Sequence, residues 1–188
     1  MKLLVLDNYD SFTYNLVHLI EKVSEIDFDV IRNDKISIDA VKAYDKILLS
    51  PGPGLPKDAG IMPELIKQYG SSKSILGVCL GLQAIGESYG GSLKNLETVF
   101  HGIATPITII EEDVIFKHCN KTFTVGRYHS WIINNQNLPN QLIITALDTN
   151  GNIMALKHQS HDVKGVQFHP ESILSEYGEL IIKNWLQS

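Results

Sequence analysis

The chain has 188 residues, 44% apolar and 20% charged, with 16 basic against 21 acidic side chains and a formal charge of −5. This length suits one domain, 1–188, burying roughly 70% of the surface its unfolded chain exposes. The composition argues against disorder, a membrane-spanning chain and the basic footprint of a nucleic-acid binder.

In chain order, the apolar run at 3–6 opens a buried strand over 2–7. Asp7 cuts that run too early for a secretion signal or a bilayer span, so the expected location is the cytoplasm. Residues 12–23 place Phe12, Leu16, Leu19, Ile20 and Val23 at helical spacing, and 62–69 and 80–89 also read as helices. Short apolar runs at 28–32, 46–50 and 74–78 supply strands between them. This alternation predicts an α/β fold: an open, mostly parallel sheet with right-handed crossovers and helices on both faces. The second half is strand-rich and antiparallel in character, with runs at 105–110, 123–128, 142–148, 152–158 and 163–168. Asn150-Gly151 marks a hairpin, and a helix over 175–186 closes the chain.

Ligands of such sheets bind beyond the carboxyl ends of the strands, which directs attention to 7–12, 51–56, 79 and its neighbours, 128–131 and 169–172. Gly77-Val78-Cys79-Leu80-Gly81 stands where a strand meets a helix and reads as a nucleophile elbow with cysteine in the serine position. The tight turn strains the nucleophile's backbone, and the two glycines let neighbouring backbone pass without a Cβ clash. The positive end of the following helix and a nearby imidazolium would both favour a thiolate. A solitary cysteine is more commonly a small buried hydrophobe. Cys119, with no flanking glycines and no preceding strand, is that ordinary case, and no disulfide is expected between the two.

The base is sought among His18, His101, His118, His129, His158, His161 and His169. Position singles out His169, which follows an apolar strand and precedes Pro170, where the chain must turn. Glu171 is placed to orient the imidazole through its other nitrogen, giving a Cys79, His169 and Glu171 triad. No third ligand accompanies His169 and Glu171 at suitable spacing, so no metal site is expected. In Pro51-Gly52-Pro53-Gly54-Leu55-Pro56 the prolines have no N–H, and only Gly52, Gly54 and Leu55 can donate. A Gly54 amide facing the cysteine, joined by the Leu80 amide at the helix start, would form an oxyanion hole. On its own, such a Pro-Gly segment more often marks a plain exposed turn. Neither this loop nor 7–12 carries a phosphate- or dinucleotide-binding glycine pattern.

Together, the segment Gly77 to Gln83, the Pro51-Gly52-Pro53-Gly54 loop and Val166-Gln167-Phe168-His169-Pro170-Glu171-Ser172 resemble the class I glutamine amidotransferase family, over essentially the whole chain. The resemblance implies that Cys79 forms a γ-glutamyl thioester, that His169 is general acid and base, and that Glu171 orients it. It also implies glutamine contacts at Gly52, Pro53, Gly54, Gln83, Ser130 and Trp131. Leu82 stands where histidine is common, a departure expected to alter the pocket wall without touching a triad role. Asp7-Asn8-Tyr9-Asp10-Ser11-Phe12 and Arg127-Tyr128-His129-Ser130 are similar to glutaminase subunits serving chorismate-using synthases, either anthranilate synthase, which is favoured, or aminodeoxychorismate synthase. The implied substrate is L-glutamine and the implied partner a chorismate-binding large subunit. No cofactor is expected in this chain; a magnesium requirement would belong to the partner. His129 reads as a pocket or interface residue. A free-standing cysteine hydrolase and a catalytically silent binding module remain alternatives, the intact triad arguing against silence.

Overall fold

The computed structural model describes residues 1–188. The first half runs β1 (Lys2–Asp7), α1 (Thr13–Val23), β2 (Asp27–Arg32), β3 (Lys46–Leu49), α2 (Met62–Tyr69), β4 (Ser74–Val78) and α3 (Leu80–Ser88). The second runs β5 (Leu93–Asn95), β6 (Ile103–Ile109), β7 (Thr122–Arg127), β8 (Trp131–Ile133), β9 (Leu142–Asp148), β10 (Ile153–His158), β11 (Val163–Val166) and α4 (Gly178–Leu186). Nine strands share one sheet in the order β2-β1-β3-β4-β11-β10-β9-β6-β7, while β5 and β8 pair separately. Neighbours from β2 to β11 are parallel, and those from β11 to β7 antiparallel.

Strand side chains alternate between faces, so β1 sends Leu3 and Val5 to one side and Leu4 and Leu6 to the other, all fully buried. The first face packs Leu16, Val17 and Ile20 of α1 and Ile181, Ile182 and Trp185 of α4. The second packs Leu65 and Ile66 of α2 and Leu80, Leu82, Ala84 and Ile85 of α3. Both faces are therefore covered along β1, β3 and β4, which is why these strands read as apolar runs rather than as alternation, while the edge strand β2 stays partly exposed.

Two features position the site. β11, although last in sequence, lies parallel beside β4 with Val166 opposite Val78, so the residues just beyond each strand become neighbours. The antiparallel wing rolls back on itself. His169 N–H donates to Gly126 O (3.0 Å), Glu176 N–H to Thr124 O (2.9 Å) and Gly126 N–H to Ser175 Oγ (2.9 Å), which binds the chain after β11 to the free edge of β7. That roll carries the residues after β7 to the carboxyl end of β4.

The last helix begins at Gly178 rather than 175, because Ser175 and Glu176 are engaged with β7 and Tyr177 turns through φ 59. Short 3₁₀ turns at Ile38–Ala43, Pro56–Asp58, Val114–Phe116 and Asn135–Asn137, and the β5–β8 pair, are additions to the sequence reading. No helix is long and apolar enough to cross a membrane.

Candidate active site

Cys79 joins β4 to α3 with φ 53 and ψ −100, a backbone state that side chains disfavour. Hydrogen bonds on both sides hold it there: Cys79 N–H donates to Val166 O (2.8 Å), and Cys79 O accepts from Gln83 N–H (3.1 Å). A Cβ on Gly77 would lie 2.4 Å from the Gly81 carbonyl carbon, and one on Gly81 would lie 2.6 Å from Leu49 O. The elbow exists because α3 starts this close to β3 and β4.

The thiol opens on a cleft of about 310 Å³ lined by Gly52, Gly54, Leu55, Cys79, Leu80, Gln83 and the run Tyr128, His129, Ser130 and Trp131. This lies at the small end of the ~300–1,000 Å³ typical of ligand sites. A larger concavity of about 730 Å³, at the amino end of β11, is lined by Asp113, Lys157 and Lys164 and holds no cysteine, serine or threonine. The proline loop is fastened beside the elbow by Asn8, whose Nδ2 donates to Ser50 O (2.8 Å) and whose N–H donates to Ser50 Oγ (2.9 Å). Gly52 permits that approach, since a Cβ there would meet Asn8 Cβ at 2.6 Å and Leu80 Cδ2 at 2.7 Å. Gly54 takes φ 74. The Leu80 N–H, first in α3, has no intrahelical acceptor, and Gly54 and Leu80, the residues whose amides are expected to stabilise an oxyanion, both line the cleft with Cys79.

His169 lies behind the thiol, 2% exposed, with Nδ1 2.6 Å from Glu171 Oε1. Its Nε2 is buried without a hydrogen-bond partner. Burial alone would lower its pKa, but the Cys79 sulfur and then the Glu171 carboxylate outweigh burial and raise it to about 10. Both neighbours thus favour the protonated ring. Phe12 and Tyr128 wedge it from the sides, with ring centroids 5.1 and 4.9 Å away.

His129 is held in the opposite state. Burial first, then Arg127 and His169, lower its pKa to about 3. Arg127 Nε–H donates to its Nε2 (3.2 Å), which leaves the ring proton on Nδ1. Arg127 is itself buried, bonded to Asp148 Oδ2 at 2.8 Å and lying 3.6 Å from the Phe100 ring centroid. A neutral imidazole pinned by a guanidinium cannot take up a proton cheaply, so His129 lines the cleft rather than serving as its base. Both cysteines are free. Cys119 is half-buried, and burial pushes its thiol up to about 11.

Of the residues expected to contact glutamine, Gly52, Gly54, Gln83, Ser130 and Trp131 share the cleft. Pro53 does not; it lines a separate depression with Asn8, Tyr9 and Asn33. Leu82 is fully buried in the core, its Cδ1 2.9 Å from where a Cβ on Gly165 would stand, and does not line the cleft. Sequence reasoning quoted Phe12 and Arg127 within motifs but gave neither a role in the site, and did not foresee the Arg127–Asp148 pair. It also gave no role to Gln167, although Gln167 lies inside a motif it quoted.

The class I glutamine amidotransferase family model matches residues 4–188. Anthranilate synthase component 2 of Pyropia yezoensis is 44% identical over 190 residues, covering 98% of this chain and 98% of that protein. Anthranilate synthase component 2 of Pseudomonas aeruginosa is 39% identical over 193 residues, covering 98% and 94%. Among solved structures, one from Thermoplasma acidophilum superposes with TM-score 0.89 at 24% identity, covering 100% of this chain and 92% of that one. A glutamine amidotransferase from Thermotoga maritima superposes with TM-score 0.77 at 15% identity, covering 91% and 76%. These two likenesses are of fold. With the family match spanning nearly the whole sequence, the chain belongs to the class I glutamine amidotransferases.

Proposed function

We infer that this chain is the glutaminase subunit, component II, of anthranilate synthase, hydrolysing L-glutamine and passing the ammonia to a chorismate-binding large subunit in the cytoplasm. The observation that carries the chemistry is a strained Cys79, φ 53, opening on a small cleft with the His169–Glu171 pair behind it. The full-length relatives named anthranilate synthase component 2 support the choice of synthase.

In this reading the Cys79 thiolate attacks the side-chain carboxamide carbon of glutamine, and the resulting oxyanion accepts from the Gly54 and Leu80 amides. His169, already carrying a proton, delivers it to the departing nitrogen, so ammonia leaves and the γ-glutamyl thioester remains. The now neutral ring takes a proton from water, whose oxygen attacks the thioester carbon; glutamate and the thiolate are released. Glu171 keeps the ring oriented and supports its positive charge. Gln83, Ser130 and Trp131 hold the amino-acid end of the substrate.

The test is Cys79→Ala assayed with the large subunit. Glutamine-dependent anthranilate formation should fall on the order of 10⁴-fold or more, with ammonia-dependent formation unchanged. Normal glutamine hydrolysis by this variant, Cys119 being still present, would remove Cys79 from the chemistry.

A further inference from the structure

Two buried carboxamides run in line from the cleft wall to the nucleophile. Gln83 Nε2 donates to Trp131 O at 2.8 Å and to Gln167 Oε1 at 3.2 Å, and Gln167 Nε2 lies 3.5 Å from Cys79 Sγ. Gln167 is fully buried and Gln83 is 3% exposed, so neither exchanges these partners for water. The direction of the line is set at one end. A backbone carbonyl can only accept, so Gln83 turns its NH₂ toward Trp131 and offers its second N–H to Gln167. Gln167 must then present oxygen to Gln83 and its own NH₂ to sulfur. Its backbone is also locked, Gln167 N–H donating to Met154 O at 2.8 Å, one residue beyond the strand whose Val166 O anchors Cys79.

An amide N–H is a poor partner for a neutral thiol and a good one for a thiolate, because charge-assisted hydrogen bonds are roughly twice as strong as neutral ones. We propose that Gln167, oriented through Gln83 by the Trp131 carbonyl, donates a hydrogen bond to the Cys79 thiolate and is a catalytic residue beyond the triad. This rests on Cys79 being the glutaminase nucleophile. The bond has a use that the imidazole does not cover. His169 surrenders its proton to ammonia and is neutral in the thioester, whereas Gln167 keeps its hydrogens and meets the sulfur when it leaves as thiolate in the second half of the reaction.

The test reads the sulfur rather than turnover. Alkylation by iodoacetamide at pH 7, followed by mass spectrometry on the Cys79 peptide with Cys119 as internal reference, is compared in wild type, Gln167→Met and Gln167→Glu. Cys79 should react about tenfold more slowly in Gln167→Met, the loss of one charge-assisted bond, and more slowly still in Gln167→Glu, with Cys119 unaffected. A lowered melting temperature with an unchanged Cys79 rate would make Gln167 a packing residue and overturn the proposal. Should the variants not fold, wild-type protein with ¹⁵N-labelled glutamine side chains provides the second measurement. The Gln167 Nε2 signal should move between pH 5 and 10 and stay flat in Cys79→Ser; a flat wild-type response overturns the proposal. Failure of the glutaminase reading would show separately, as glutamine hydrolysis surviving Cys79→Ala.

Discussion

His169 and His129 sit in neighbouring positions and hold opposite charge states, for causes that can be separated. Both are buried, which disfavours the imidazolium; at His169 the Cys79 sulfur and the Glu171 carboxylate outweigh burial, whereas at His129 Arg127 and His169 add to it and Asp148 does not offset them. The folded pKa of His169, about 10, lies above the ~6.5 of a free histidine. The stability it adds is therefore full below about pH 6.5 and is lost as pH climbs to about 10. His129, held at about 3, contributes stability above about pH 6.5 that is lost as pH falls toward 3. Replacing the Glu171 carboxylate with an amide, Glu171→Gln, should lower the His169 titration midpoint seen by NMR and reduce turnover modestly. His169→Asn should reduce it by about 10²–10⁴-fold, since the proton donor itself is gone. Wild-type turnover in His169→Asn at saturating glutamine would exclude the ring from the mechanism.

The elbow is a property of elements in contact. β4 ends at Val78, α3 begins at Leu80, and the single residue between them absorbs the reversal because Gly77 and Gly81 let their backbones touch. Gly77→Ala puts a methyl group against backbone, which cannot swing aside as a side-chain tip would. The expected cost is at least ~1–3 kcal/mol of overpacking, seen as a lower urea midpoint, together with loss of glutaminase activity from a displaced sulfur. An alanine variant as stable and active as wild type would show that the elbow relaxes freely. The register of β4 with β11 is equally demanding. Since Val78 faces Val166, a slip of one residue would turn His169 and Gln167 to the wrong faces.

For the whole molecule, the cleft opens at the carboxyl ends of the central strands, where Tyr9 is half exposed and Ile173 fully exposed. Ammonia released there into water would be protonated and lost as a nucleophile, so useful transfer needs a docked acceptor and a sheltered path. Glutaminase activity of the isolated subunit should therefore be low and rise when the chorismate-binding large subunit is added, by roughly the 5–150-fold that 1–3 kcal/mol of coupling allows. The expected lever is the 52–55 loop beside Cys79: a partner that binds one arrangement of it better than another would shift the loop toward that arrangement. Ammonia release measured with and without the large subunit and chorismate checks this. Full activity alone, unmoved by either addition, would favour a free-standing hydrolase.

The local features were legible from the sequence because they are set by residues a few positions apart. Glycines two places either side of Cys79, a proline after His169, a carboxylate at 171 and helical or strand periodicity all act over less than two turns of chain. They established the α/β alternation, the elbow and the His169–Glu171 pairing as expectations. Distant pairings decided the rest, because periodicity carries no information about which buried surface meets which. The placement of β11 beside β4 brought Gln167 to Cys79 across 88 positions of sequence. The roll of the antiparallel wing delivered Ser130 and Trp131, which follow an edge strand, to the cleft. The same packing turned Leu82 into the core, moved Pro53 out of the pocket and set Phe12 against His169, since long-range burial outweighs any preference read from neighbouring residues.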